Sequence, residues 1–239
     1  MSLWKKAARL GGRLRRKAKK LLLRPIHVFL FHQVSDAFDG STMKPGDWSE
    51  TGQFKANLRL LQEEYRFIPL DAAYRKMRRD RVRFRKYAVL TADDGWASLL
   101  NVLPWLKEQD IPVTLFLNPG YFDGVHFREK ATEKYLLQDD IDALASEFPN
   151  VTVASHGWDH TRATLQTEEA FRDSVRRSVG ALESYPNHVP FFAYTYGSNS
   201  PVTDQVLEEF GLVPVMIDKE ANMDDLSRIH RELIDGIVL

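Results

Sequence analysis

Residues 87–95 read Tyr87-Ala88-Val89-Leu90-Thr91-Ala92-Asp93-Asp94-Gly95, an apolar run that passes directly into two carboxylates and a glycine. The first five residues have the content of a strand buried on both faces, and Asp-Gly is a strong turn signal. Short apolar runs of the same kind recur at 26–31, 113–117, 151–154, 191–194 and 213–217. Between them the apolar positions step by three and four, which predicts helices over 52–64, 71–79 (behind Asp71 as N-cap), 99–108 (despite Pro104), 138–148, 168–185 and 202–210. Strands alternating with helices imply parallel pairing with crossover connections, hence an α/β sheet or barrel.

In parallel α/β folds functional groups gather at the carboxyl ends of the strands. The residues just past the predicted strands are His32, Asp93 and Asp94, Asn118, His156 with His160, and Tyr194 to Gly197. Asp93 and Asp94 point in different directions and can take different roles, although a plain turn accounts for the pair equally well. His156 and His160 stand four apart, a spacing at which two imidazoles converge on one metal. Two surface histidines fit that spacing too. Zero cysteines exclude a thiolate nucleophile, a disulfide scaffold and an iron–sulfur site, and leave any metal to nitrogen and oxygen ligands. Trp48, Tyr121, Trp158 and Tyr194 are the aromatics near strand ends that either stack on a sugar or fill core.

A hydrophobic fraction of 44% and a charged fraction of 28% exclude a mainly disordered chain, and 239 residues suit one large domain. No apolar run reaches the 18 residues of a membrane span. The net charge of zero hides an asymmetry: residues 1–24 hold ten of the 33 basic residues and no acid, leaving a body of 23 basic against 33 acidic residues. That acidic body argues against nucleic-acid binding. Leu3, Ala7, Leu10, Leu14, Ala18 and Leu21 form one stripe among the cations. Residues 1–24 therefore read either as an amphipathic helix on an anionic membrane or as a mobile basic tail, ahead of a single domain over 25–239. No apolar stretch of signal-peptide length follows the cations, so the expected location is the cytoplasm, peripheral at the inner face of the membrane. A second basic run, 75–86, has eight basic residues and one acid, and precedes a strand at the amino-end face.

Three motifs carry a family resemblance. Thr91-Ala92-Asp93-Asp94-Gly95 resembles the Thr-Phe-Asp-Asp-Gly motif of the polysaccharide deacetylases (the NodB-homology family, carbohydrate esterase family 4). His156-Gly157-Trp158-Asp159-His160 is similar to their His-Ser/Thr-x-x-His motif, and Phe192-Ala193-Tyr194-Thr195-Tyr196-Gly197 to a Phe-Ala-Tyr-Pro-Tyr-Gly motif. The resemblance runs from about 26 to 231 in family order. It implies a distorted (β/α) barrel with about seven parallel strands, and a metal-dependent hydrolase that removes an N-acetyl or N-formyl group from an amino sugar in surface-polysaccharide or lipid-linked glycan biosynthesis. A non-catalytic carbohydrate-binding protein of the same fold is the alternative.

By the same resemblance Asp94, His156 and His160 hold a divalent metal: zinc first, with cobalt, nickel, iron or manganese as alternatives. Asp93 is then the catalytic base, and the backbone N–H of Tyr196 stabilises the oxyanion. Tyr194, Tyr196, Asn118, Trp158 and His32 are the expected substrate contacts. Ala193 stands where many members carry an arginine that orients the base. The family's general acid is a late histidine, for which His230 is the candidate, but Arg228-Ile229-His230-Arg231 matches equally a subgroup reading Arg-Ile-Pro-Arg.

Overall fold

The computed structural model describes residues 24–36, 48–79, 85–124, 134–218, 222 and 226–234. The expected tail lies outside the described residues except for Arg24. In chain order the strands are β1 (Ile26–Phe31), β2 (Gln33–Val34), β3 (Trp48–Ser49), β4 (Arg66–Phe67), β5 (Tyr87–Ala92), β6 (Val113–Leu117), β7 (Val151–Ser155), β8 (His188–Ala193), β9 (Val213–Ile217) and β10 (Ile229–Leu233). The helices are α1 (Thr51–Glu64), α2 (Leu70–Arg79), α3 (Leu103–Glu108), α4 (Gln138–Glu147), α5 (Glu168–Leu182) and α6 (Pro201–Glu209).

Seven of the strands close a parallel barrel in the order β1-β10-β9-β8-β7-β6-β5 and back to β1. β5 runs beside β1 in register from Ile26 opposite Tyr87 to Phe31 opposite Ala92. The two-residue β4 pairs with the start of β5 on its other edge, below the point where β6 begins opposite Leu90. β2 and β3 form a separate two-stranded parallel pair.

Side-chain alternation along the strands feeds two cores. Outward residues such as Phe29, Leu90, Leu115 and Val153 meet Phe54, Leu58 and Leu61 of α1, Leu103 and Leu106 of α3, and Ile141 and Leu144 of α4. Phe192 and Met216 likewise meet Phe171 and Val175 of α5 and Val206 and Leu207 of α6. Inward residues Ile26, Val28, Val89, Phe191, Val215 and Ile229 surround Leu70, Ala73 and Met77 of α2. Ile26, Val28, Val89 and Ile229 belong to the first halves of their strands, so α2 plugs the amino end of the barrel. Each large apolar side chain buried there contributes about 1.5–3 kcal/mol.

Two local expectations are corrected, and one strand is unanticipated. The helix expected over 99–108 is a 3₁₀ turn, Ala97–Asn101, followed by α3, which takes Pro104 into its first turn where no N–H partner is lost. Asp71 sits inside the first turn of α2, its carboxylate accepting from the Ala72 N–H at 2.7 Å. β10 closes the barrel although its sequence, Ile-His-Arg-Glu-Leu, carries polar residues on both faces.

Candidate active site

The carboxyl ends of β5 and β7 supply the centre of the site. The Asp93 N–H still donates to the Phe31 carbonyl at 3.2 Å, so Asp93 continues the strand. The chain then turns through two left-handed residues, Asp94 at φ 71° and Gly95 at φ 73°. Glycine adopts this conformation freely, whereas a side chain there costs roughly 1–2 kcal/mol. Among the described residues four non-glycines have positive φ, and three of them, Asp94, His160 and Tyr196, lie here. Strain of this kind concentrates where geometry serves a site.

The turn aims the Asp94 carboxylate at the histidines. Its Oδ1 lies 2.7 Å from His160 Nε2 and 3.4 Å from His156 Nε2. The three ligand atoms fall within 4.8 Å of one another, and all three residues are buried. His156 Nδ1 stands 2.7 Å from the Ala193 carbonyl, which fixes Nδ1 as the donor and leaves Nε2 as a lone pair facing Asp94. Trp96 Nε1 donates to Asp94 Oδ2 at 3.1 Å, so Oδ1 is the oxygen turned to the imidazoles. Two imidazole nitrogens and one carboxylate oxygen suit a divalent cation of borderline hardness, bonded at about 2 Å with coordination positions left open. The donor set fits zinc, cobalt, nickel, iron or manganese.

Asp93 faces a different partner. The Arg231 guanidinium grips it end-on, Nη1 to Oδ1 at 2.7 Å and Nη2 to Oδ2 at 2.8 Å. Arg231 itself is 1% exposed, is tied to Thr91 Oγ1 at 3.2 Å, and lies 5.0 Å over the Phe116 ring. Burial pushes the Asp93 carboxyl up, but the charge of Arg231, then the neighbouring imidazole of His156, then the Arg231 hydrogen bonds and the imidazole of His32 together bring it below its ordinary value of 3.8. Asp93 is thus a held, ionised carboxylate, and its Oδ2 lies 3.9 Å from His156 Nε2.

Arg231 is the functional residue that sequence reading passed over. It supplies the arginine that Ala193 does not, from β10 and not from the motif after β8. His230 comes out differently. Neighbouring residues on a strand face opposite ways, so while Arg231 enters the barrel His230 leaves it, its Nδ1 held by the Asp218 carboxylate at 2.7 Å. His230 is therefore not brought to Asp93. His32 is near enough to influence the Asp93 carboxyl electrostatically, and its Nδ1 is buried with no hydrogen-bond partner among the described residues.

The other expected contacts divide. Tyr196, 52% exposed, packs against the His160 ring at a centroid distance of 4.7 Å, beneath the Arg162 guanidinium. Tyr194 is fully buried with its hydroxyl donating to Asp204 at 2.9 Å, so it is core and cannot meet a substrate. Asn118 is buried and donates to the His156 and Gly157 carbonyls at 2.7 and 3.2 Å, which shapes the histidine loop. Trp158 has one ring face covered by the Arg177 guanidinium at 3.9 Å, and its edge pressed on Gly120, where a Cβ would lie 2.8 Å from the indole nitrogen. Tyr121 joins Trp96 and Tyr135 in a three-ring stack with centroid distances of 4.4 and 4.5 Å. That stack touches both ligand loops, since Tyr121 Oη donates to the Asp159 carbonyl at 2.6 Å. A groove of about 740 Å³ flanks the histidine loop, lined by Gly120, Asp123, Trp158, Asp159 and Arg177 among others.

Residues 81–215 match the family model described as Polysaccharide deacetylase. No curated protein matches the sequence. Among solved structures, IcaB from Ammonifex degensii is 21% identical, with a TM-score of 0.73 over 88% of this chain and 91% of that one. The Streptococcus pyogenes deacetylase PplD, in complex with acetate, is 18% identical, with a TM-score of 0.75 over 88% and 92%. A de-N-acetylase from Aggregatibacter actinomycetemcomitans is 14% identical, with a TM-score of 0.70 over 90% and 97%. At these identities the likeness establishes a common fold.

Proposed function

The chain belongs to the polysaccharide deacetylase family, and from that premise we propose that it hydrolyses the N-acyl amide of an amino sugar within a glycan, with a divalent metal at Asp94, His156 and His160. The observation that carries this reading is the pairing of two unlike carboxylates: Asp94 turned to two imidazoles, and Asp93 clamped beside them by Arg231. The chemistry a cation supplies in such a cluster is Lewis acidity toward the amide carbonyl and acidification of water.

The chain's own residues do the rest. Asp93 accepts the proton of the attacking water, and Arg231 holds both carboxylate oxygens so that the accepting lone pair keeps its direction. The backbone N–H of Tyr196, in its left-handed conformation, is the donor for the oxyanion. When the C–N bond breaks, the acyl carbon keeps the water oxygen and the departing amine takes a proton. We assign that proton donor to His32, supported by its buried Nδ1, which has no hydrogen-bond partner among the described residues, and by its electrostatic influence on Asp93. The flanking groove offers Asp123, Asp159 and Arg177 to sugar hydroxyls. Contact of residues 1–24 with an anionic membrane, placing the reaction near lipid-linked glycans, is part of the same proposal and is supported by the apolar stripe among ten cations.

The test is release of acetate or formate from N-acylated amino-sugar oligosaccharides by chelator-stripped protein, with zinc or cobalt returned. Metal-dependent release that Asp93→Asn abolishes supports the reading. Sugar binding with release no greater than that of Asp93→Asn overturns it in favour of a carbohydrate-binding protein.

A further inference from the structure

Two basic runs lie far apart in sequence, and their described ends, Arg24 and Lys86, adjoin neighbouring strands. One ends at Arg24, two residues before β1, and the other at Lys86, one residue before β5. Ile26 and Tyr87 are register partners on adjacent parallel strands, so Arg24 and Lys86 enter the barrel at the same edge of its amino end. Together 1–24 and 75–86 hold 18 of the 33 basic residues and one of the 33 acidic residues. The rest of the chain therefore carries 15 basic against 32 acidic residues.

The described residues at this end form a cationic face. α2 turns Leu70, Ala73 and Met77 into the barrel and leaves Arg75, Arg78 and Arg79 exposed. Arg24, Arg66, Arg85 and Lys86 line a cavity of about 1080 Å³ at the same end, with Glu63, Glu64 and Asp110 also on its wall. Lys86 is paired with Glu64, and Arg75 with Asp71. Arg66, Arg78, Arg79 and Arg85 are exposed and have no acidic partner among the described residues.

We propose that this amino-end face docks on an anionic phospholipid surface, holding the catalytic mouth away from the bilayer by the height of the barrel. Charge complementarity selects the occupant. A clustered cationic face on an otherwise acidic chain is drawn to a negative plane and repelled from it in every other orientation. The apolar stripe of residues 1–24, continuous in sequence with Arg24, favours a lipid surface over a soluble polyanion. Strands of five or six residues rise about 17–20 Å, so the site would face away from the headgroups and meet a glycan that extends from the membrane.

The experiment is sedimentation of the full chain with vesicles of phosphatidylcholine alone or with one-third phosphatidylglycerol, beside Arg78→Gln/Arg79→Gln/Arg85→Gln and a chain lacking residues 1–23. Each neutralised cation should lower the partition coefficient about fivefold, so the triple variant should lose roughly a hundredfold while keeping its circular dichroism and its deacetylase rate on soluble oligosaccharide. The shortened chain should retain charge-dependent binding. Equal binding to both vesicle types, a triple variant that partitions like the wild type, or displacement from vesicles by stoichiometric single-stranded DNA would each overturn the proposal. None of these results bears on the catalytic reading, whose test needs no membrane.

Discussion

Arg231 and Asp93 form a buried ion pair joined by two hydrogen bonds of 2.7 and 2.8 Å. Both residues are 1% exposed, so neither charge has water to fall back on. Removing one partner of such a pair strands the other and costs about 3–5 kcal/mol, whereas removing both costs much less. Arg231→Met should therefore lower the melting temperature by roughly 10 °C, at about 2–4 °C per kcal/mol for a chain of this size. Asp93→Asn should also destabilise, by leaving the guanidinium without its counter-charge. The double variant should be more stable than the sum of the single losses predicts, by about 2 kcal/mol or more. Urea titration followed by circular dichroism measures the cycle. Activity gives a second readout. Without Arg231, burial is no longer outweighed and the Asp93 carboxyl climbs. Since the base must be ionised, the acid limb of kcat/KM moves to higher pH, and the plateau falls about a hundredfold as the base loses its hold. Arg231→Lys should recover charge but not the paired grip, giving an intermediate rate. Additivity within about 0.5 kcal/mol, together with an unmoved acid limb, would refute the reasoning.

Three further outcomes are expected. Trp96→Phe keeps the ring in its stack with Tyr135 but removes the 3.1 Å hydrogen bond to Asp94, and should weaken zinc binding in a chelator competition by about 10–100-fold; unchanged affinity would count against the role given to Trp96. Gly120→Ala puts a Cβ 2.6 Å from the Trp158 carbonyl, and overpacking against backbone should cost about 1–3 kcal/mol in a denaturation curve; a neutral result would mean that the histidine loop yields freely. Burial holds His188 below its ordinary 6.5 despite the charge of Glu183, and its Nε2 is buried without a hydrogen-bond partner among the described residues. The unfolded chain binds that proton first, so stability is unaffected above pH 6.5 and falls as pH drops from 6.5 through the lowered value. His188→Gln should flatten this part of the stability profile, and an identical slope in the variant would show that other groups set it.

Local pattern made much of this molecule readable. Six of the seven barrel strands are apolar runs, and the Asp-Asp-Gly turn and the two histidines sit within a few residues of their strand ends, so sequence proximity stands in for spatial proximity. β10 is the exception and explains the largest omission. His230, Arg231 and Glu232 interrupt its alternation because each answers a distant group: Asp218 to His230, Asp93 to Arg231, and His27 to Glu232 at 2.9 Å. Arg231 is polar on an inward face only because Asp93 needs it, and that need arises from a residue 138 positions earlier. The position of Tyr194, by contrast, follows from alternation: Ala193 faces the barrel interior, so the next residue turns outward into the helical layer. β2, β3 and β4, at two residues each, are too short for any periodicity to show.

The strand that aligns the base is also the one that seals the cylinder, lying between β1 and β9. A nascent chain that has emerged as far as α6 already owns every prospective metal ligand but not the guanidinium. The cation cup can thus assemble first, while the proton acceptor stays unanchored until the last seam is zipped. On the proposed mechanism, hydrolytic competence would then wait on the closing of the cylinder.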